Sequence, residues 1–148
     1  MRRRIIGSLV GILALLGSMH LSVPAHAQMM CAAGVVLVGN FMPNVINGTP
    51  DNDEIFGNGG NDTIWGFECD DLLEGGAGDD QIDGGSGNDY IEGNTGQDQI
   101  RGGPGNDEIL GGDGDDMISG GPGDDFIDGG AGADVCVGGG GVDVIVNC

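Results

Sequence analysis

The sequence predicts an all-β protein, a parallel β-solenoid of about eleven nonapeptide repeats with an N-terminal cap. Three observations predict it. Glycine opens a new unit every nine residues from Gly48 to Gly138, aspartate holds the sixth place of every unit, and an aliphatic residue holds the eighth in all units but one. The units read GTPDNDEIF, GNGGNDTIW, GFECDDLLE, GGAGDDQID, GGSGNDYIE, GNTGQDQIR, GGPGNDEIL, GGDGDDMIS, GGPGDDFID, GGAGADVCV and GGGGVDVIV, filling residues 48–146. Three registers kept in step over that length separate the chain from an acidic low-complexity coil.

Taken in order, residues 1–27 predict a cleaved secretory signal. Met1–Arg4 is basic, Ile5–Leu21 is apolar, and the stretch closes on Ala25-His26-Ala27. The alternative is a retained anchor, but the apolar run is broken by Gly7, Gly11 and Gly17 and is barely long enough to span a bilayer. Lipid attachment at Cys31 is not expected, because Met30 stands where a lipoprotein signal needs a small residue. The mature chain then starts at Gln28, outside the cytoplasm. Residues 28–47 are almost uncharged, with a strand expected at Val35–Val38. They cap the first coil, whose open edge would otherwise template pairing with another chain.

Residues 48–148 form the repeat domain. Glycines at places one, two and four permit a left-handed backbone, so the first six residues make a tight loop. The last three places make a short strand with its middle side chain inward. Those inward residues are Ile55, Ile64, Leu73, Ile82, Ile91, Ile100, Ile109, Ile118, Ile127, Cys136 and Ile145. They stack into a narrow ladder of core.

Charge decides the chemistry. The chain carries 24 acidic residues against 4 Lys and Arg, a net charge of −20. Arg101 is the sole Lys or Arg after Arg4, so removal of the leader deepens the imbalance. Phosphate-mediated binding to nucleic acid or an anionic membrane is excluded, and no membrane insertion is expected after cleavage. Stacking brings the aspartates at place six to about the 4.8 Å strand spacing. Like charges that close demand a cation. The surroundings offer oxygen ligands, with no histidine after His26. A flexible, carbonyl-rich cage of this kind suits Ca²⁺ better than Mg²⁺. Cys31, Cys69, Cys136 and Cys148 form no C-x-x-C pair, so zinc and redox sites are not expected. An even count in an exported chain predicts two disulfides, with three connectivities open.

Residues 48–146 resemble the RTX, or haemolysin-type, calcium-binding nonapeptide repeat, G-G-x-G-x-D-x-U-x. The resemblance implies a parallel β-roll with two nonapeptides per coil and calcium ions between loops on the same side. Aspartates eighteen residues apart would share an ion, as Asp80 with Asp98 and Asp89 with Asp107, and main-chain carbonyls would complete each cage. The implied metal ligands are Asp62, Asp80, Asp89, Asp98, Asp107, Asp116, Asp125, Asp134 and Asp143. The third unit departs from the pattern, with Phe67 and Cys69 in place of glycines. Its pairs, Asp53 with Asp71 and Asp71 with Asp89, are therefore expected to hold an ion weakly or not at all. Ala133 and Val142 replace the usual Asn or Asp before the aspartate, so weaker loop support is expected there. A Cys31–Cys69 bridge would pin the cap, and Cys136–Cys148 would close the other end.

The reading that follows is a secreted calcium-binding protein that folds on its ions and has no chemistry of its own. Toxin, lipase and protease activities of the family do not carry over, because no catalytic domain accompanies the repeats. The mature chain holds only Ser86 and Ser119 as serines and has no base for either. Glu54, Glu74, Glu92 and Glu108 fall at outward strand places and read as solvated surface. The alternative is an adhesion or surface-recognition protein. Its contact face, for self-association or a cell-surface partner, would be the odd-repeat side with Leu72, Tyr90, Phe126 and Val144 at place seven and Phe56 and Leu110 at place nine. Place three carries no threonine ladder, which disfavours an ice-binding face.

Overall fold

The computed structural model describes residues 31–148. The expected leader over residues 1–27 lies outside them. Thirteen strands follow one another, with no helix among the described residues. They are β1 (Ala33–Val38), β2 (Val45–Asn47), β3 (Asn52–Phe56), β4 (Thr63–Glu68), β5 (Leu72–Ala77), β6 (Gln81–Ser86), β7 (Tyr90–Thr95), β8 (Gln99–Arg101), β9 (Glu108–Asp113), β10 (Met117–Pro122), β11 (Phe126–Ala131), β12 (Val135–Gly140) and β13 (Val144–Val146). Odd strands form a seven-stranded sheet in the order β1-β3-β5-β7-β9-β11-β13, and even strands a six-stranded sheet in the order β12-β10-β8-β6-β4-β2. Neighbours are parallel and offset by eighteen residues in the repeats, as in Ile91 beside Ile109 and Ile82 beside Ile100. This is a parallel β-roll with two nonapeptides per coil.

The inward residues of both sheets meet in one thin core. Ile55, Ile64, Leu73, Ile82, Ile91, Ile100, Ile109, Ile118 and Ile127 are buried, with Leu37, Ile46 and Cys136 packed against them. Ile145, at the end of the stack, is 40% exposed. Each isoleucine contributes the burial of one side chain and little more, because no second layer lies behind it.

Two sequence expectations change. The strand does not stop at place nine. In β5, β6, β7 and β9 to β12 it continues through places one to three of the next unit, so the turn itself is only places four to six. The glycine at place two keeps its backbone groups in the ladder, as Gly85 N donating to Gly102 O shows. Second, residues 33–47 do more than cover an end. Gly39, Asn44 and Ile46 stand at places one, six and eight of an earlier unit; β2 adds a strand in register, and β1 adds one that is in register from Val36 on, after a shift between Ala33 and Val36. The coil therefore begins before the first clear repeat.

The outward faces also differ from expectation. On the odd face the aromatic and aliphatic residues alternate with Glu54, Glu74, Glu92, Glu108 and Asp128. The Tyr90 hydroxyl donates to Glu92. Glu74 and Glu92 are half-buried rather than freely solvated. The odd side is an acidic face with apolar islands, not a continuous apolar patch. The even face carries a single ion pair, Arg101 to Asp83 at 3.7 Å.

Both disulfides form as the positions imply, Cys31 with Cys69 and Cys136 with Cys148. The first ties the segment just before β1 to the third repeat and the second ties β12 to Cys148.

Candidate metal centre

The aspartates at place six turn inward at the point where loop becomes strand. Asp53, Asp62, Asp71, Asp80, Asp89, Asp98, Asp107, Asp116 and Asp125 are all at most 3% exposed. Asp134 and Asp143, near the end of the stack, are half-buried. Each carboxylate spends one oxygen on the coil before it. The backbone N–H of Asp62 donates to Asp80 Oδ1 at 2.7 Å, that of Asp80 to Asp98 Oδ1 at 2.7 Å, and that of Asp89 to Asp107 Oδ1 at 2.9 Å. The same contact joins Asp98 to Asp116, Asp107 to Asp125, Asp116 to Asp134 and Asp125 to Asp143. Aspartates eighteen residues apart are thus brought together throughout the repeats.

The second oxygen is the informative one. Oδ2 of Asp62, Asp71, Asp80, Asp89, Asp98, Asp107, Asp116, Asp125 and Asp134 is buried and has no hydrogen-bond donor. A buried anionic oxygen without a donor is costly unless a cation meets it. Asp53 lacks this feature, because Thr49 caps its Oδ2 through the backbone N–H. The Oδ2 of Asp143 is not among the buried unpartnered atoms either.

Glycine at place one frames the same oxygen. A methyl group on Gly93 would lie 2.5 Å from Asp98 Oδ2 and 2.5 Å from the carbonyl oxygen of Gly111. Gly57, Gly75 and Gly84 show the same convergence of their own unit's carboxylate and the next coil's carbonyl. These place-one glycines do not use left-handed backbone, contrary to the sequence reading. They are glycine because two oxygens occupy the space of a side chain. Left-handed backbone belongs to places two and four, as at Gly85 and Gly87 with φ of 107° and 147°.

The third unit keeps this carboxylate geometry despite its missing glycines, so Asp71 stands where the other aspartates stand. Phe67 and Cys69 adopt φ of 89° and 76°, taking the left-handed conformation without being glycine. Cys69 is held there by its disulfide. Asp71 accepts the N–H of Asp53 at 2.8 Å, and its own N–H donates to Asp89 Oδ1 at 2.9 Å. The strain of two non-glycine residues is absorbed locally while the carboxylate stays in line. The signal for this was in the sequence: Asp71 and Leu73 keep their places although the glycines do not.

Place five carries a second ladder of opposite sense. Asn88 N donates to Asp70 Oδ1 at 2.7 Å, Asn106 N to Asn88 Oδ1 at 2.9 Å, and Asp124 N to Asn106 Oδ1 at 2.9 Å. Ala133 and Val142 still donate to Asp115 and Asp124. Their loops therefore keep this support, since what they lack is an acceptor for a later coil.

Crowding shows in the acidities. Burial pushes the carboxyls of Asp89 and Asp98 up to about 7 and those of Asp71, Asp80 and Asp107 up to about 6. The N–H from the preceding coil pulls each down, and neighbouring aspartates raise it further. Asp116 and Asp125 are raised for the same first cause. Among the described residues no three His, Cys, Asp or Glu side chains gather to hold a metal. A cation here would be held by carboxylate oxygens in pairs together with main-chain carbonyls. That all-oxygen, flexible donor set fits Ca²⁺.

Comparison with known proteins agrees. The family model of the RTX calcium-binding nonapeptide repeat (4 copies) matches residues 38–66, 47–82, 66–100, 83–118, 92–127 and 110–145. No curated protein matches the chain.

Proposed function

Since the chain belongs to the RTX calcium-binding nonapeptide repeat family, and so is a calcium-binding β-roll, we propose that it is exported, that its ions lie between stacked loops, and that it folds on binding them. It has no catalytic activity of its own. One observation carries this reading: the row of buried Oδ2 atoms from Asp62 to Asp134 that no donor meets. Bound Ca²⁺ supplies the positive charge that lets these carboxylates stay ionised and close together. The protein's part is to hold pairs of oxygens in place, with the Oδ1 ladder fixing each carboxylate and the bare place-one glycines leaving room beside it. The proposed ligands are Asp62, Asp71, Asp80, Asp89, Asp98, Asp107, Asp116, Asp125 and Asp134, with Asp143 at the open end. Export fits two disulfides in a chain this short.

Calorimetric titration of the chain from Gln28 onward tests the metal assignment, with CaCl₂ and MgCl₂ in parallel. Several Ca²⁺ ions per chain and weak Mg²⁺ binding are expected. A single ion, or equal preference for Mg²⁺, would refute it. N-terminal sequencing of protein recovered from culture medium tests export and the cut before Gln28.

A further inference from the structure

The two sheet faces of the roll differ in charge and in symmetry. At places seven and nine the odd face carries five acids and no base, and the even face carries only Asp83 and Arg101; the even sheet's one further charge is Glu68 at the far end of β4, as Asp113 is at the far end of β9 on the odd sheet. In a chain of net charge −20, the even face is therefore the sheet surface another copy approaches against the least repulsion. It is also grooved, with an open channel of about 610 Å³ running between its two rows of side chains over the backbone of Ile64, Ile82, Ile100 and Ile118.

We propose that the even face is a self-association surface. It pairs with a second copy of this chain about a two-fold axis that runs along the strands between β6 and β8. With the axis along the strands, the register is fixed. The even sheet has six strands, so full overlap of two such faces places the axis at its centre, between β6 and β8. β6 then meets the partner copy's β8, β4 meets β10, and β2 meets β12.

The chemistry of those forced pairings is complementary. Asp83 meets Arg101, and by symmetry Arg101 meets Asp83, so four charges form a square in which every neighbour is of opposite sign. Gln81 meets Gln99, amide to amide. Val45 meets Val135, both exposed at 70% and 59%. Met117, 59% exposed, meets Thr63, beside Trp65. The same operation on the odd face fails. Its seven strands put the axis on β7, so Glu92 meets Glu92, Glu54 meets Phe126, and Leu72 meets Glu108. That arrangement opposes like charges and buries acids against apolar residues.

The footprint sets the strength. Six strands at about 4.8 Å by three residues at about 3.3 Å cover roughly 290 Å² per copy. A standard stable interface buries about 800 Å² per partner. The pairing is therefore weak, and concentration decides its extent.

Sedimentation equilibrium of the calcium-loaded chain tests this, from about 10 μM to about 1 mM, the range of weak association. Far-UV circular dichroism verifies the roll before each run, which separates failure of pairing from failure to fold on calcium. A monomer–dimer equilibrium is expected. Arg101→Asp alone and Asp83→Arg alone should each weaken it at least about tenfold, a loss of about 1.4 kcal/mol. An equimolar mixture of the two variants should associate at least as well as wild type, because each face then meets its opposite. The double variant D83R/R101D should also recover, and Phe126→Ser should leave association unchanged. A wild type that stays monomeric throughout the range, a mixture that stays monomeric, or association lost through Phe126→Ser would each overturn the proposal.

Discussion

Removing calcium and titrating it back should give a folding transition only about twofold wide in free Ca²⁺. Seven aspartate pairs have both members with a buried, unpartnered Oδ2: Asp62–Asp80, Asp71–Asp89, Asp80–Asp98, Asp89–Asp107, Asp98–Asp116, Asp107–Asp125 and Asp116–Asp134. If each pair takes one ion, and only the folded roll binds, the folding constant rises with the seventh power of free calcium near saturation. Going from one-tenth to nine-tenths folded needs about an 81-fold change in that constant, which is about 1.9-fold in calcium for seven ions and about 81-fold for one. Each decade of calcium adds about 10 kcal/mol on the same arithmetic, comparable with the whole stability of a domain. The assay is far-UV circular dichroism against free calcium set by a chelator buffer, with Trp65 fluorescence as a second probe. A transition spread over a decade or more would refute the coupling of the pairs. A β-sheet spectrum unchanged in excess chelator would refute calcium-dependent folding altogether.

Other outcomes follow from the same geometry. Asp107→Asn removes an anionic oxygen from two of the seven pairs and Asp71→Asn from one, so both should raise the calcium midpoint, Asp107→Asn by the larger factor; a negligible effect at Asp71 would show that the third unit holds no ion. Gly93→Ala puts a methyl 2.5 Å from both Asp98 Oδ2 and Gly111 O, an overpacking cost of about 2 kcal/mol, and should raise the midpoint by about 1.6-fold at about 10 kcal/mol per decade. Gly140→Ala, with nothing within 4 Å, should leave it in place. Acid should oppose calcium: the carboxyls raised to about 6 or 7 take up protons as pH falls from 7.5 to 5.5, so the calcium midpoint should climb over that window. For the metal-free roll the sign reverses, because a carboxyl whose folded pKa is raised adds stability that is complete below about 3.8 and lost as pH rises through 6 to 7. Reducing both disulfides, which span 38 and 12 residues, removes about 4 and about 3 kcal/mol of chain-entropy constraint and should raise the midpoint about fivefold.

The periodic part of the fold was legible because each place in the repeat answers to one physical demand. Place eight had to be apolar to make a core, place six had to be acidic to meet a cation, and these demands show directly as residue type. What was illegible is backbone that another residue can be forced to imitate. Phe67 and Cys69 look like breaks, yet both take the left-handed conformation, and Asp71 stays in line. Gly39, Asn44 and Ile46 carry the register into the cap, but Asn44 hides it, since an amide stands where the eye seeks a carboxylate. Its backbone N–H nevertheless donates to Asp62 Oδ1 at 2.7 Å. The outward faces were misjudged for a different reason. The outward glutamates read as freely solvated, but Glu74 and Glu92 are half-buried and Glu92 accepts from Tyr90, contacts between neighbours that residue type alone does not show.

The eighteen-residue step between bonded aspartates sets a rule for how this chain can change length. Beyond the Cys31–Cys69 bridge at the start, each coil reads only the coil before and the coil after, so a duplication or deletion of eighteen residues there leaves every later residue on its own sheet with equivalent neighbours. A change of nine is far from silent. It slides all downstream strands to the opposite face, exchanging the acidic wall for the neutral one from that point on, and would carry Arg101 away from Asp83 if it fell between them. Length variation in such a molecule is therefore expected to come in even numbers of repeats, with odd steps marking a change in what the surface is for.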